Sequence, residues 1–364
     1  MSHNAHKRKG GSVMGKKLVL FVIAILFLFP TYGAADVIKL KFANYFPPTH
    51  MNSVVMGKYC EELNKKLAGK VELTQYAGGT LLTAPKMAAG VGTGIADIGL
   101  SNCSYSRDRF PVMEAMELPL GFPSAYVGTH VANDFYNKFK PKEWDTYQPL
   151  MFSTSPPNIL QTLSKPVKSL EDLKGLKIRS QGRLADLVKS LGAVPVPIEI
   201  VDLYESVRRG VIDGAYIPLE TLKGFKLGEV EKYVTASWKI GNAYTFYVVM
   251  NKQKFNSLPP DIQKELTQFS KDFIERWAVE WNAIDIEGRE FFKTNGGQVL
   301  TLSDAEAARW VKASEPVVTS FKKDLTSKGY TEKEVDSWLK FIQERIQYWK
   351  GQEKAKKIPT AYEY

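Results

Sequence analysis

Arg179 is the side chain whose type and place point most clearly to chemistry. Residues 176–179 read as a strand and Gln181-Gly182 follow at once, so Arg179 stands at a strand's carboxyl end. Open α/β sheets bind ligands beyond those ends. A guanidinium offers a rigid pair of donors matched to a carboxylate. Position alone leaves open a surface arginine that caps a loop. Gln181 shares the strand exit and is taken as a binding residue with it.

Other chemistry is scarce. Beyond residue 35 the imidazoles and thiols are His50, His130, Cys60 and Cys103. They are too few for a thiolate zinc site or a disulfide framework. A structural role is the preferred reading of both histidines. There is no GxSxG elbow, HExxH pair, Walker loop or CxxC pair. The glycines of 90–94 precede a strand and read as a helix-ending turn, not a dinucleotide loop. No metal or cofactor is expected, and a binding protein fits better than an enzyme.

The elements that must position Arg179 repeat a grammar. Residues 37–43 alternate as a strand, a helix carries Val55, Tyr59, Leu63 and Leu67, and strands follow at 71–76 and 96–100. Further on, a strand at 176–179, a helix at 184–191, a strand at 194–197 and a helix at 202–209 repeat the order. Each series reaches one motif, Gly94-Ile95-Ala96-Asp97 and Gly210-Val211-Ile212-Asp213. Two similar α/β lobes of mostly parallel sheet are expected. A long helix runs from Pro259 to about Phe292, and two more open with capping-box patterns, Ser303 with Glu306 and Thr331 with Glu334.

Hydrophobic residues make up 44% and charged residues 24% of the 364, which excludes a disordered or coiled-coil chain. Lys16-Lys17, the apolar run 18–29 and the small residues Gly33 and Ala35 have the layout of a secretory signal, cut before Asp36. That run is too short to span a bilayer. Removing residues 1–35 removes five basic residues and no acid, so the formal charge falls from +10 to +5. No basic block suits nucleic acid. Export permits a Cys60–Cys103 bridge, although two buried thiols are preferred.

Several stretches carry a resemblance. They are Tyr76-Ala77-Gly78-Gly79-Thr80-Leu81, Gly94 to Gly99, Leu118-Pro119-Leu120-Gly121-Phe122, Ser169 to Arg179 and Gly210 to Gly214. Val249-Met250-Asn251-Lys252 with Ser257-Leu258-Pro259 completes the series. In this order they resemble the solute-binding proteins of tripartite ATP-independent periplasmic (TRAP) transporters, of the C4-dicarboxylate-binding type. The resemblance implies an α/β, two-lobed periplasmic binding protein fold (type II-like), with hinge strands and a long inter-lobe helix. Its expected divisions are signal peptide 1–35, lobe I 36–158 plus 246–284, and lobe II 159–245 plus 285–364.

The same resemblance makes Arg179 the grip on a substrate carboxylate and places Tyr45, Phe46 and Asn102 at pocket positions. Two departures stand out. The family's asparagine after Asp-Gly is missing from Asp213-Gly214-Ala215-Tyr216-Ile217-Pro218, and a second arginine is missing from 157–161. Ile200, Tyr216 and Tyr244 then suggest a monocarboxylate with an aromatic or hydrophobic body. The expected function is periplasmic capture of an organic acid by a monomer and its delivery to TRAP membrane subunits. The competing readings are a secreted carboxylate-processing enzyme and a binding protein for an ATP-driven importer or sensor.

Overall fold

The computed structural model describes residues 36–362; the expected signal peptide lies outside the described residues. In chain order the helices are α1 Met51–Lys66, α2 Met87–Gly92, α3 Ala125–Phe139, α4 Leu170–Leu173, α5 Arg183–Ser190, α6 Ile200–Arg208, α7 Glu220–Gly224, α8 Lys252–Asn256, α9 Pro260–Thr294, α10 Asp304–Ser327 and α11 Glu332–Ala355. Short 3₁₀ turns join several of them.

Two sheets carry the fold. The first uses β1 Ile38–Asn44, β2 Val71–Tyr76, β3 Ile98–Asn102, β4 Tyr147–Thr154 and, returning later, β10 Thr245–Asn251, in the order β2-β1-β3-β10-β4. The second uses β5 Ile159–Thr162, β6 Lys177–Arg179, β7 Val194–Val196, β8 Gly214–Ile217, β9 Tyr233–Thr235 and β11 Gln298–Leu300, in the order β11-β9-β5-β8-β6-β7. β1 runs parallel to β3, and β6 parallel to β7 and β8, as the alternating grammar predicts. β10 lies antiparallel to β3 and β4, and β5 antiparallel to β8 and β9, so both sheets are mixed.

The repeated Gly-x-x-Asp motif has a physical use in both sheets. Gly94 (φ +81°) and Gly210 (φ +67°) take the left-handed turn that ends a helix. The aspartate that follows then clamps a neighbouring strand through both its groups. Asp97 N–H donates to Lys41 O at 3.0 Å while its Oδ2 accepts the Lys41 N–H at 2.7 Å. Asp213 does the same to Lys177, at 2.8 and 2.7 Å. Because Asp97 is spent on this clamp, the strand expected at 96–100 begins at Ile98.

The chain passes from the first sheet to the second at 155–158 and returns before β10. The two passages bond to each other: Ser155 N–H to Tyr244 O and Asn158 N–H to Asn242 O, both 2.9 Å. These paired passages, outside any strand, stand where the hinge strands were expected. α9 has 35 residues, a span of ~52 Å. Its first half packs on α1, with Tyr59 Oη 2.7 Å from Ser270 Oγ and Trp277 Nε1 donating to Asn52 Oδ1 at 3.1 Å. Further along, Asn282 Oδ1 accepts the Tyr126 N–H of α3, and Asp285 Oδ1 accepts the Glu220 N–H of α7.

The tail departs from the expected allotment of 285–364 to the second lobe. α10 does pack there, through Asp324 to Arg183. α11 instead lies on α3 beside the first sheet, where Arg345 Nε donates to Asp134 at 2.7 Å, Trp349 stacks on His130 at 3.9 Å and Ser124 donates to Glu353 at 2.6 Å. Thr331 and Glu334 close a full capping box. Ser303 caps its helix alone, because Glu306 accepts from Leu170 N–H and Trp310 Nε1 instead. Cys60 and Cys103 are free buried thiols.

Candidate functional site

A cavity lies where the strands' carboxyl ends meet the two crossing passages. Tyr45 and Phe46 follow β1, Asn102 ends β3, Arg179 ends β6, and Ile217-Pro218 leave β8. Tyr244 and Phe246 enter from the return passage. This is the sheet-edge placement that α/β folds use for ligands.

Arg179 is 2% exposed and all of its hydrogen-bond partners are neutral. Nε donates to Ile198 O at 3.0 Å, one terminal nitrogen to Tyr244 Oη at 3.0 Å and the other to Tyr105 Oη at 3.2 Å. Its five N–H donors exceed these three acceptors. Arg183, four residues on and 1% exposed, makes the contrast. Its Nε donates to Glu114 at 2.7 Å and its Nη1 pairs with Asp324. One buried arginine is thus neutralised by acids, while the other carries its charge to the cavity wall. A buried cation is costly unless an anion joins it.

The neighbours of Arg179 are held in turn. Gln181 Nε2 donates to Ile198 O at 2.8 Å, tying the loop that leads to Ile200. Asn102 Oδ1 caps the next turn by accepting the Tyr105 N–H at 3.2 Å. Ser155 Oγ accepts the Tyr244 N–H at 3.0 Å. Phe46 lies among rings, with centroids 4.4 Å from Tyr45, 5.8 Å from Phe246 and 6.2 Å from Phe225.

Arg179, Tyr45, Phe46, Asn102, Gln181, Ile200 and Tyr244 therefore converge on one cavity. Tyr216 does not. It sits on β8 one residue before Ile217, and alternation along a strand turns the two to opposite faces. Ile217 takes the cavity side, and Tyr216 is buried behind it at 1% exposure. His50 lies behind the wall too, bonded to Glu220 at 2.9 Å.

Sequence reasoning missed Tyr105, Glu220, Phe225 and Phe246, which also line the cavity. Phe246 was within reach, being two residues from Tyr244 on one strand face. Tyr105 had a weaker signal, three residues after a capping asparagine. Glu220 and Phe225 had none, because only the packing of α9 on α7 brings them in.

Two α/β lobes, crossing passages between them and a cavity at the strand ends define a periplasmic binding protein of the two-lobed class. The chain belongs to the bacterial extracellular solute-binding proteins, family 7, whose family model matches residues 42–324. It is similar to the 2,3-diketo-L-gulonate-binding periplasmic protein YiaO of Escherichia coli, with 26% identity over 74% of this chain and 83% of that one. It is also similar to a TRAP periplasmic solute-binding protein of Desulfovibrio salexigens, with 32% identity, a TM-score of 0.74 and coverage of 86% and 97%. A TRAP periplasmic solute-binding protein of Bordetella bronchiseptica, solved with (R)- and (S)-mandelate, has 25% identity, a TM-score of 0.78 and coverage of 85% and 99%. The two solved structures are TRAP solute-binding proteins, and the family is one of solute-binding proteins, not enzymes.

Proposed function

We infer that the chain captures a monocarboxylate with an aromatic or branched hydrophobic body and hands it to TRAP membrane subunits. Capture of an organic acid for such a transporter is the work of its family. The single observation that carries the finer reading is Arg179, a buried guanidinium whose bonds go to two phenols and a carbonyl. A carboxylate supplies the anion that these partners do not. Among the described residues no second lysine or arginine lines the cavity, which argues against a second carboxylate. Phe46, Phe225, Phe246, Ile200 and Ile217 offer apolar surface instead. A ring-sized body burying roughly 150 Å² gains about 4 kcal/mol there. The mandelate held by the Bordetella relative is an acid of this kind.

The chain works as a monomer after removal of residues 1–35, closing its two lobes about the crossing passages. No bond in the ligand changes. Thermal-shift screening of the mature protein against organic acids, followed by calorimetry, tests the reading, since a ligand that binds only the folded state raises the melting temperature. Aromatic or branched monocarboxylates are expected above succinate, malate and sialic acid. A C4-dicarboxylate that binds about tenfold tighter than every monocarboxylate would overturn it.

A further inference from the structure

The far wall of the cavity carries a carboxylate as well as rings. Glu220 opens α7 and is 4% exposed. Its main-chain N–H donates to Asp285 Oδ1 at 2.9 Å. Gly288 of α9 permits this approach, because a Cβ there would stand 2.7 Å from the Glu220 Cα. The side chain is fixed by His50. Nδ1 of that ring accepts the Asn52 N–H at 3.1 Å, so the ring proton sits on Nε2 and is donated to Glu220 Oε2 at 2.9 Å. The imidazole thus holds the carboxylate in place through a single hydrogen bond. Gly224 leaves the room for the pair, since a Cβ there would meet His50 Nε2 at 2.4 Å.

Among the described residues no donor engages Glu220 Oε1. Glu220 and Arg179 line the same cavity, and Tyr45 feels both. Burial, then Tyr105 and Glu220, push its phenol up, while Arg179 pulls it down. A ligand anchored at Arg179 therefore shares its cavity with an acceptor. A second carboxylate there would face like charge, and a bare hydrocarbon would strip Oε1 of water without replacing the bond.

We propose that Glu220 determines specificity, selecting carboxylate ligands whose body bears a hydrogen-bond donor, a hydroxyl or an amine, on the end remote from the carboxylate. The proposal rests on the reading of Arg179 as the anchor. A donor satisfied by a buried carboxylate separates otherwise matched ligands by about 10- to 100-fold.

Calorimetry with matched acids tests this: benzoate and phenylacetate against their meta- and para-hydroxy and amino forms, on the wild-type protein and on Glu220→Gln. The glutamine carbonyl still accepts the His50 proton, so the substituted amide turns its own N–H groups toward the ligand's donor. The wild type is expected to prefer at least one donor-bearing acid about tenfold or more over its parent, and the variant to bring that ratio below about threefold. Parent acids that bind the wild type as tightly as every donor-bearing partner would overturn the role of Glu220 and leave Arg179 standing. A wild-type preference that survives unchanged in Glu220→Gln would overturn it as well. Failure of the wild type to bind any acid of the panel would overturn both readings. The wild-type ratio stands as a test even if the variant does not fold.

Discussion

Replacing Arg179 by methionine should separate binding from stability. Methionine keeps most of the unbranched stem and removes the charge. In the ligand-free protein two costs oppose each other. The substitution gives up three hydrogen bonds from Nε and the terminal nitrogens, roughly 1.5 kcal/mol each or a little more for a charged donor. It also releases a 2%-exposed guanidinium with no acid beside it, whose burial costs several kcal/mol. The balance lies near zero, so the melting temperature should stay within about 3 °C. Arg183→Met has the opposite outcome, because it strands Glu114 at 2% side-chain exposure and unpairs Asp324. Breaking a buried pair in this way costs about 3–5 kcal/mol. For the bound acid, losing the Arg179 charge pair costs about 2–5 kcal/mol, a drop in affinity of about 30-fold to several thousand-fold. Differential scanning calorimetry of both variants and titration of Arg179→Met against one bound acid would read all three numbers. Affinity within about threefold of wild type in Arg179→Met, or a larger loss of stability there than in Arg183→Met, would refute the reasoning.

Gly182→Ala should weaken binding by about 1–3 kcal/mol and speed release, because φ is +54° and a Cβ would stand 2.8 Å from the Ser104 Cα across the cleft; unchanged dissociation in stopped flow would contradict this. Burial pushes the carboxyls of Glu117, Glu143 and Asp285 up to about 8. The native chain then keeps protons that the unfolded chain releases near 4, so stability is full below that pH and is lost as pH rises toward 8. Glu117→Gln should make the fall shallower by up to about 1.4 kcal/mol per pH unit, read from denaturant midpoints between pH 5 and 8. Mass spectrometry of the exported protein should find a chain that starts near Asp36, and peptides from residues 18–29 in the mature form would contradict the cleavage.

What the sequence reveals depends on whether a signal is local. The two Gly-x-x-Asp motifs announced two lobes because one turn and one clamp do the same work in each sheet. Arg179 was legible as a strand-end residue, since the glycine after Gln181 marks where the strand must stop. Tyr216 was misassigned because every residue of β8 is buried. With no polar face to set the phase, a shift of one position exchanges Tyr216 for Ile217. α11 could not be placed because an apolar helix face states that it must be covered and not by what. Glu220 was invisible for a related reason. Its place in the cavity depends on Asp285, Gly288 and His50, all at least 65 positions away in the chain.

A crystal structure of the mature protein with a bound aromatic monocarboxylate tests the central claim most directly. Both carboxylate oxygens are expected within about 3.2 Å of Arg179 nitrogens, with the ring against Phe46, Phe225 and Phe246. A carboxylate held by other residues, with Arg179 still bonded only to Tyr105, Tyr244 and Ile198, would contradict the account.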